Sequence, residues 1–178
     1  MSGMRPATSK PNGFTLVEML VVLAIIIVLS GLILTGLALA RKQASIGEMG
    51  VLLKSIETSV ERYADDFGDF PHSKDTGEEE ETGLEGAANL YAALMTRAKN
   101  GPYLSGSERS CDNGFGRECL ADKWGRPIRY LHFRDYKGEP NRKTFRLMSD
   151  GPDGEHNPFG VQTDDIVNWD KEKYAAKE

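Results

Sequence analysis

The sequence predicts an α+β protein in which one long helix, membrane-spanning in its first half, packs its second half on a small antiparallel sheet beside a short second helix. Three observations lead there. From Phe14 to Ala40 the only ionisable side chain is Glu18. Beyond that run, Ile46, Met49, Leu53, Ile56, Val60, Tyr63 and Phe67 recur at steps of three and four, which places them on one helical stripe. Two stretches of rough apolar–polar alternation, 128–136 and 143–149, then flank the turn-rich "KGEPNR" and predict a hairpin.

The chain has 178 residues, and without its apolar segment the remainder is the size of one domain. A formal net charge of -5 and a pI of about 5.3 leave no basic footprint for DNA or RNA. Nucleic acid is therefore not an expected partner.

Residues 1–13, "MSGMRPATSKPNG", are polar, hold two prolines and end in glycine, and read as a leader outside the folded body. The span is assigned to 14–40. About 22 residues follow Glu18 in it, more than the roughly 20 a helix needs to cross a bilayer. A secretory signal peptide is the alternative, but the run is long for an h-region and "ALARKQA" only loosely imitates a cleavage site. Arg5 and Lys10 before the run nearly balance Arg41 and Lys42 after it, so hydropathy alone leaves the orientation open. Glu18 is the anomaly. A charge within hydrocarbon costs roughly 2.5–3.5 kcal/mol on insertion scales, less near an interface, and a lone acid suits a simple anchor poorly.

Residues 41–70 form the amphipathic continuation. With no proline between Phe14 and Phe70, one helix from about Phe14 to about Asp66 is expected, roughly 80 Å long. Gly31, Gly36, Gly47 and Gly50 weaken it locally. The globular part is 71–178. Its start, within "GDFPHSKDTGEEEETGLEG", is a loop whose run Glu78–Glu81 reads as solvated surface. A second helix is expected over 87–98, ended by glycine and proline in "KNGPYL". In the hairpin, Leu131 and Phe133 are expected on one face, meeting Phe145 and Leu147.

Cys111 and Cys119 are the only cysteines, separated by a glycine-containing loop. In an oxidising compartment they would close a small disulfide ring; two reduced thiols are the alternative, and the spacing is no zinc signature. Catalysis finds little support. His72, His132 and His156 stand apart, and no G-x-S-x-G, H-E-x-x-H or phosphate-binding glycine loop occurs. His132 reads as a sheet residue and His156 as a loop residue, and Trp124 and Trp169 as packing anchors. On composition alone, the aspartates and glycines between Asp150 and Asp165 serve turns.

The register of Gly13, Phe14, "FTLVEMLVVLAII" and Glu18 resembles the class III signal of the type IV pilin and type II secretion pseudopilin superfamily. Further on, "GPYL" (101–104), "DKWGRPIRY" (122–130) and "DGPDGEHNPFGVQTDDIVNW" (150–169) resemble the major pseudopilin branch. The acidic loop at 74–86, the cysteine-bearing insertion at 105–121, the long interval between Asp153 and Asp164, and the tail after Trp169 depart from that pattern. The resemblance implies a pilin-like fold with a C-terminal calcium loop. It further implies cleavage between Gly13 and Phe14 by a prepilin peptidase, N-methylation of Phe14, and a single-pass inner-membrane orientation with the leader cytoplasmic and the body periplasmic. Glu18 becomes the assembly residue, pairing with the Phe14 amine of a neighbouring subunit. Asp153, Asp164 and Asp165 become side-chain calcium ligands, with carbonyls near Asp150 and Glu155 assisting. The implied function is a structural subunit of a secretion pseudopilus, with a homopolymer, minor pseudopilins, an inner-membrane assembly platform and, before assembly, membrane lipid as partners. A type IV pilin or minor pseudopilin, and a membrane-anchored calcium-binding domain that never polymerises, are the alternatives.

Overall fold

The uninterrupted helical pattern after Phe14 produces an uninterrupted helix: α1 runs Leu16–Phe67. The computed structural model describes residues 13–74, 82–104, 109–135, 143–157 and 164–169, with side chains 34–36 and 38 left aside. The leader 1–12, the run Glu78–Glu81, the hairpin turn 137–142 and the tail beyond Trp169 lie outside the described residues. The chain divides into two units between Arg41 and Lys42. In the first, Leu16–Ile33 is long and apolar enough to cross a membrane, and none of it is buried within the protein. The second unit, Lys42–Glu178, includes the amphipathic stretch of α1, whose stripe joins the core of the globular part.

The expected stripe is the floor of the core. Met49, Leu53, Ile56 and Val60 are buried, Ile46 and Tyr63 partly so, and Phe67 is exposed but stacks on Tyr63 at 4.3 Å between ring centres. The second helix, α2, spans Leu84–Leu94, three residues earlier at its start than the spacing suggested and four earlier at its end. The early start takes Gly86 into the helix for a packing reason. A β-carbon there would collide with the Tyr130 carbonyl and stand 2.8 Å from the Ser73 β-carbon, so only glycine lets α2 lie this close to the sheet. The early end follows from capping. The Met95 amide donates to the Tyr91 carbonyl and the Tyr103 amide to the Leu94 carbonyl, which closes the last turn before "GPYL".

Among the described residues five strands follow. β1 (Ser110–Asp112) and β2 (Glu118–Leu120) form a two-stranded arm; β3 (Arg129–His132), β4 (Phe145–Ser149) and β5 (Ile166–Val167) form an antiparallel sheet in that order. The predicted hairpin is therefore present, but its faces are the reverse of those expected. Tyr130 lies opposite Leu147 and His132 opposite Phe145, and these four face the α1 stripe or its surroundings; Leu131 lies opposite Arg146 instead. Phe133 is not on the strand at all: it sits in the turn after β3, half-buried. The pattern misled because β3 is buried on both sides, so an apolar residue marks neither face. Tyr130 settles the matter: its ring enters the core while its hydroxyl donates to the Pro71 carbonyl at 2.6 Å.

This register generates a test. Leu147→Ala empties a fully buried position and should cost about 2–5 kcal/mol, measured by denaturant unfolding, whereas Phe133→Ala should cost well under half of that.

Candidate functional site

At the start of α1, Gly13 and Phe14 are exposed and precede the helix, and no atom lies within 4 Å of where a Gly13 β-carbon would be. Thr15 and Glu18 form a reciprocal cap. The Glu18 carboxylate accepts the Thr15 amide and the Thr15 hydroxyl, both at 2.8 Å, and the Glu18 amide donates to the Thr15 Oγ1 at 3.2 Å. This is the T-x-x-E capping box, written in "TLVE". Two otherwise orphaned backbone donors are satisfied at the end of the helix that carries its positive dipole. The anomalous acid thus has a partner within its own chain.

The second constellation lies where β4 leaves the sheet and β5 returns. Asp153, Asp164 and Asp165 bring one carboxylate oxygen each to within 4.8 Å of one another. The turn after β4 makes this possible. Gly151 has φ 66°, and a side chain on it would collide with the Asp164 carbonyl and stand 3.0 Å from Asp164 Oδ1, so the two segments meet through a bare backbone. The Asp153 carboxylate accepts the Glu155 amide at 2.9 Å, and the Asp165 carboxylate accepts the Asn157 amide at 3.1 Å. Lys42 Nζ reaches the outer oxygen of Asp164 at 3.1 Å, while Asp164 Oδ1 is buried and accepts no hydrogen bond from the described residues. Three carboxylates of hard oxygen character, one with a buried orphaned oxygen, fit calcium, which takes six to eight oxygen ligands on a flexible loop.

The other two residues of the expected set behave differently. Glu155 is exposed. The Asp150 carboxylate is held in a two-point pair by Arg129, at 2.8 and 2.9 Å, and by His156 Nδ1 at 3.2 Å, while its carbonyl accepts the Gly154 amide. Burial alone would raise the Asp150 pKa, but the hydrogen bonds from His156 and Arg129 override it and hold the group at about 2. This pair, invisible in the sequence, anchors the loop to β3.

A second anchor is Asp122, the first residue of "DKWGRP". Its Oδ1 accepts the Trp124 and Arg126 amides, both at 2.9 Å, and its Oδ2 accepts the Ser149 hydroxyl at 2.8 Å. A fully buried carboxylate is tolerable because three donors converge on it. Arg126, positioned by the same turn, donates to the Gly151 carbonyl at 2.6 Å. The path from "DKWGRP" to the aspartate loop is thus a chain of direct hydrogen bonds.

His72, His132 and Asp135 also bring ligand-type atoms within 4.8 Å of one another. Two of the three are already engaged in hydrogen bonds. His132 Nδ1 accepts the Arg134 amide at 3.2 Å, and Asp135 Oδ2 accepts both the Ser73 amide and the Ser73 hydroxyl, at 3.0 and 2.7 Å. This cluster pins the segment after α1 against β3. Cys111 and Cys119 face one another across the β1–β2 arm as thiols, their sulfurs 3.0 Å apart.

With this geometry in hand, comparisons place the chain among known proteins. Residues 8–34 match the family described as the prokaryotic N-terminal methylation motif. The chain is 29% identical over 163 residues to the type II secretion system core protein G of Escherichia coli (strain K12), which covers 92% of this chain and 94% of that protein. It is 28% identical over 163 residues to the core protein G of Pseudomonas aeruginosa, covering 90% of this chain and 96% of that one. The similarity runs through both units and is not confined to the apolar helix.

His132 gives the second unit a pH dependence of definite sign. Burial, and to a lesser degree the neighbouring His72, push its pKa below the ordinary 6.5, and Asp69 and Asp135 around it do not restore it. The unfolded chain therefore takes up the proton first, so the contribution of neutral His132 is full above 6.5 and is lost as pH falls through the folded value. Melting temperature should drop as pH falls below about 6.5, and His132→Gln should show a shallower drop over the same range.

Proposed function

We propose that this chain is a pseudopilin, a structural subunit of a type II secretion pseudopilus that assembles through its N-terminal helix to drive protein export. The observation that carries the reading is the coincidence, in one chain, of the methylation motif at residues 8–34 with similarity over nine-tenths of the length to core protein G. The role is mechanical. A prepilin peptidase removes the leader after Gly13, and Phe14 becomes the methylated N-terminus. The first unit is the membrane anchor and later the filament core, and the second lies on the periplasmic side. Further copies of the chain, minor pseudopilins and the assembly platform are its partners.

In this reading Glu18 has two successive partners. Before assembly its carboxylate is held by Thr15. Within a filament, the new amine of Phe14 on an adjacent subunit approaches it, and in a low-dielectric bundle the opposite charges attract far more strongly than in water. Such pairing is satisfied at one axial step and penalised at others, which makes it a register device. Glu18→Gln separates the two roles, because glutamine also completes a capping box but carries no charge. The variant should be processed and methylated normally yet yield no pseudopili in shed-filament preparations; normal filaments would remove the charge from the mechanism.

Calcium is the second part of the proposal. Asp153, Asp164 and Asp165 would hold the ion, which supplies a compact positive charge that neutralises three neighbouring carboxylates and binds the turn after β4 to the segment entering β5. The effect is on stability. Excess calcium should raise the melting temperature of the full chain in detergent, chelator should lower it, and Asp164→Asn should abolish the difference. An unchanged melting curve on chelation would remove the ion from the account.

A further inference from the structure

The β1–β2 arm holds its two sulfurs in unequal surroundings. Cys119 is fully buried, whereas Cys111, directly opposite it in the ladder, is partly exposed. Residues directly opposite on antiparallel strands lie within the separation a disulfide spans, and these sulfurs are already in contact at 3.0 Å. The arm does not need a covalent link to bring them there. Asp112 Oδ1 accepts the Gly114 amide at 2.6 Å and the Gly116 amide at 3.2 Å, and Asn113 Oδ1 accepts the Phe115 and Arg117 amides. Asn113 Nδ2 donates to the Leu84 carbonyl at 3.1 Å and Arg117 to Asn89 at 2.7 Å, so the turn is also tied to α2. The two thiols are thus presented to each other by a preformed hairpin.

We propose that Cys111 and Cys119 are an ordered dithiol site: Cys111 reacts first with an external disulfide donor, and Cys119 resolves the adduct to close a disulfide across the arm. In the first step the Cys111 thiol loses its proton to solvent and its sulfur attacks the donor, whose S–S bond breaks. One donor sulfur leaves and is protonated, and the other stays bound to Cys111. In the second step Cys119 loses its proton and attacks the Cys111 sulfur, displacing the remaining donor sulfur as a thiol. Two protein thiols are oxidised to one disulfide and the donor disulfide is reduced to two thiols. The order follows from access, since a donor reaches the half-open sulfur and not the enclosed one. Burial also raises both thiol pKa values, that of Cys119 the more, so thiolate is scarce and the reaction calls for a reactive donor and not for dissolved oxygen alone. Closing so short a ring removes less chain entropy than a long one would, and its effect is local. It locks β1 to β2.

In the cell this step requires the oxidising side of the membrane, and that part alone rests on the pseudopilus reading. The chemistry is tested without filaments or secretion machinery. Reduced full-length chain in detergent is incubated with oxidised glutathione under native conditions and followed by intact mass. The wild type should lose two hydrogens and retain no glutathione. Cys119→Ser should retain one glutathione, and Cys111→Ser should acquire it about tenfold more slowly. A wild type that keeps both thiols, or a Cys111→Ser variant modified as fast as Cys119→Ser, overturns the proposal. A brief iodoacetamide pulse on the reduced wild type gives the same answer with no variant: Cys111 should be alkylated well before Cys119, and equal labelling refutes the order. Since the readout is chemical, its failure leaves the pseudopilus reading where it stands.

Discussion

The second unit is arranged around one constraint: the stripe Met49, Leu53, Ile56 and Val60 must be removed from water, and a single helix has no means of doing so alone. α2 and the β3–β4 hairpin supply the cover, with Leu90, Leu94, Tyr130 and Leu147 closing over it. How near they come is decided by Gly86, where the helix backbone meets the Tyr130 carbonyl with no side chain between. A helix with alanine at that point would stand off from the sheet and open space above the stripe. Packing density, and through it most of the stability, therefore depends on a residue with no side chain of its own.

Around this apolar centre the polar groups form a second order of structure. Asp122, Arg126, Arg129 and Asp150 are all placed by hydrogen bonds to turns and carbonyls, and together they lead from the core-facing strands to the loop of aspartates. None is exposed enough to be indifferent to its partners, and each carboxylate is met by two or more donors. The aspartate loop is consequently built on a fixed base, on which Asp153, Asp164 and Asp165 gather, with Lys42 reaching Asp164.

Legibility in the sequence followed physical simplicity. The long helix and its stripe were plain, because a repeat of three and four sustained from Ile46 to Phe67 admits one periodicity. The reciprocal cap was also written there, in Thr15 and Glu18, but the unusual position of the acid drew attention to its charge and away from its backbone role. The β3 register was not legible, since a strand buried on both faces carries no alternation to read and Tyr130 counts as apolar or polar according to which end is considered. The β1–β2 arm leaves only a short trace, Asn113–Gly114 between two short segments, which is a hairpin signal easily hidden in a glycine-containing loop. The aspartates of the C-terminal loop were identified by resemblance, and their spatial gathering depends on the chain reversal at Gly151, which no spacing rule reports. The roles of Arg129 and Asp150 were beyond reach, being a partnership between distant segments.

One small feature of the sheet extends past its own stability. β5 has only two residues, yet the rung after it is also filled: Asn168 accepts the Leu147 amide on its side-chain oxygen, donates its backbone amide to the Leu147 carbonyl, and offers its side-chain nitrogen to the Phe145 carbonyl. A side chain thereby imitates the strand that is missing. The rim of β4 that would otherwise invite a foreign segment to zip alongside is blocked by a single amide. A segment sliding along β4 past the end of β5 therefore meets backbone groups that are already engaged, and finds no open ladder at that rung.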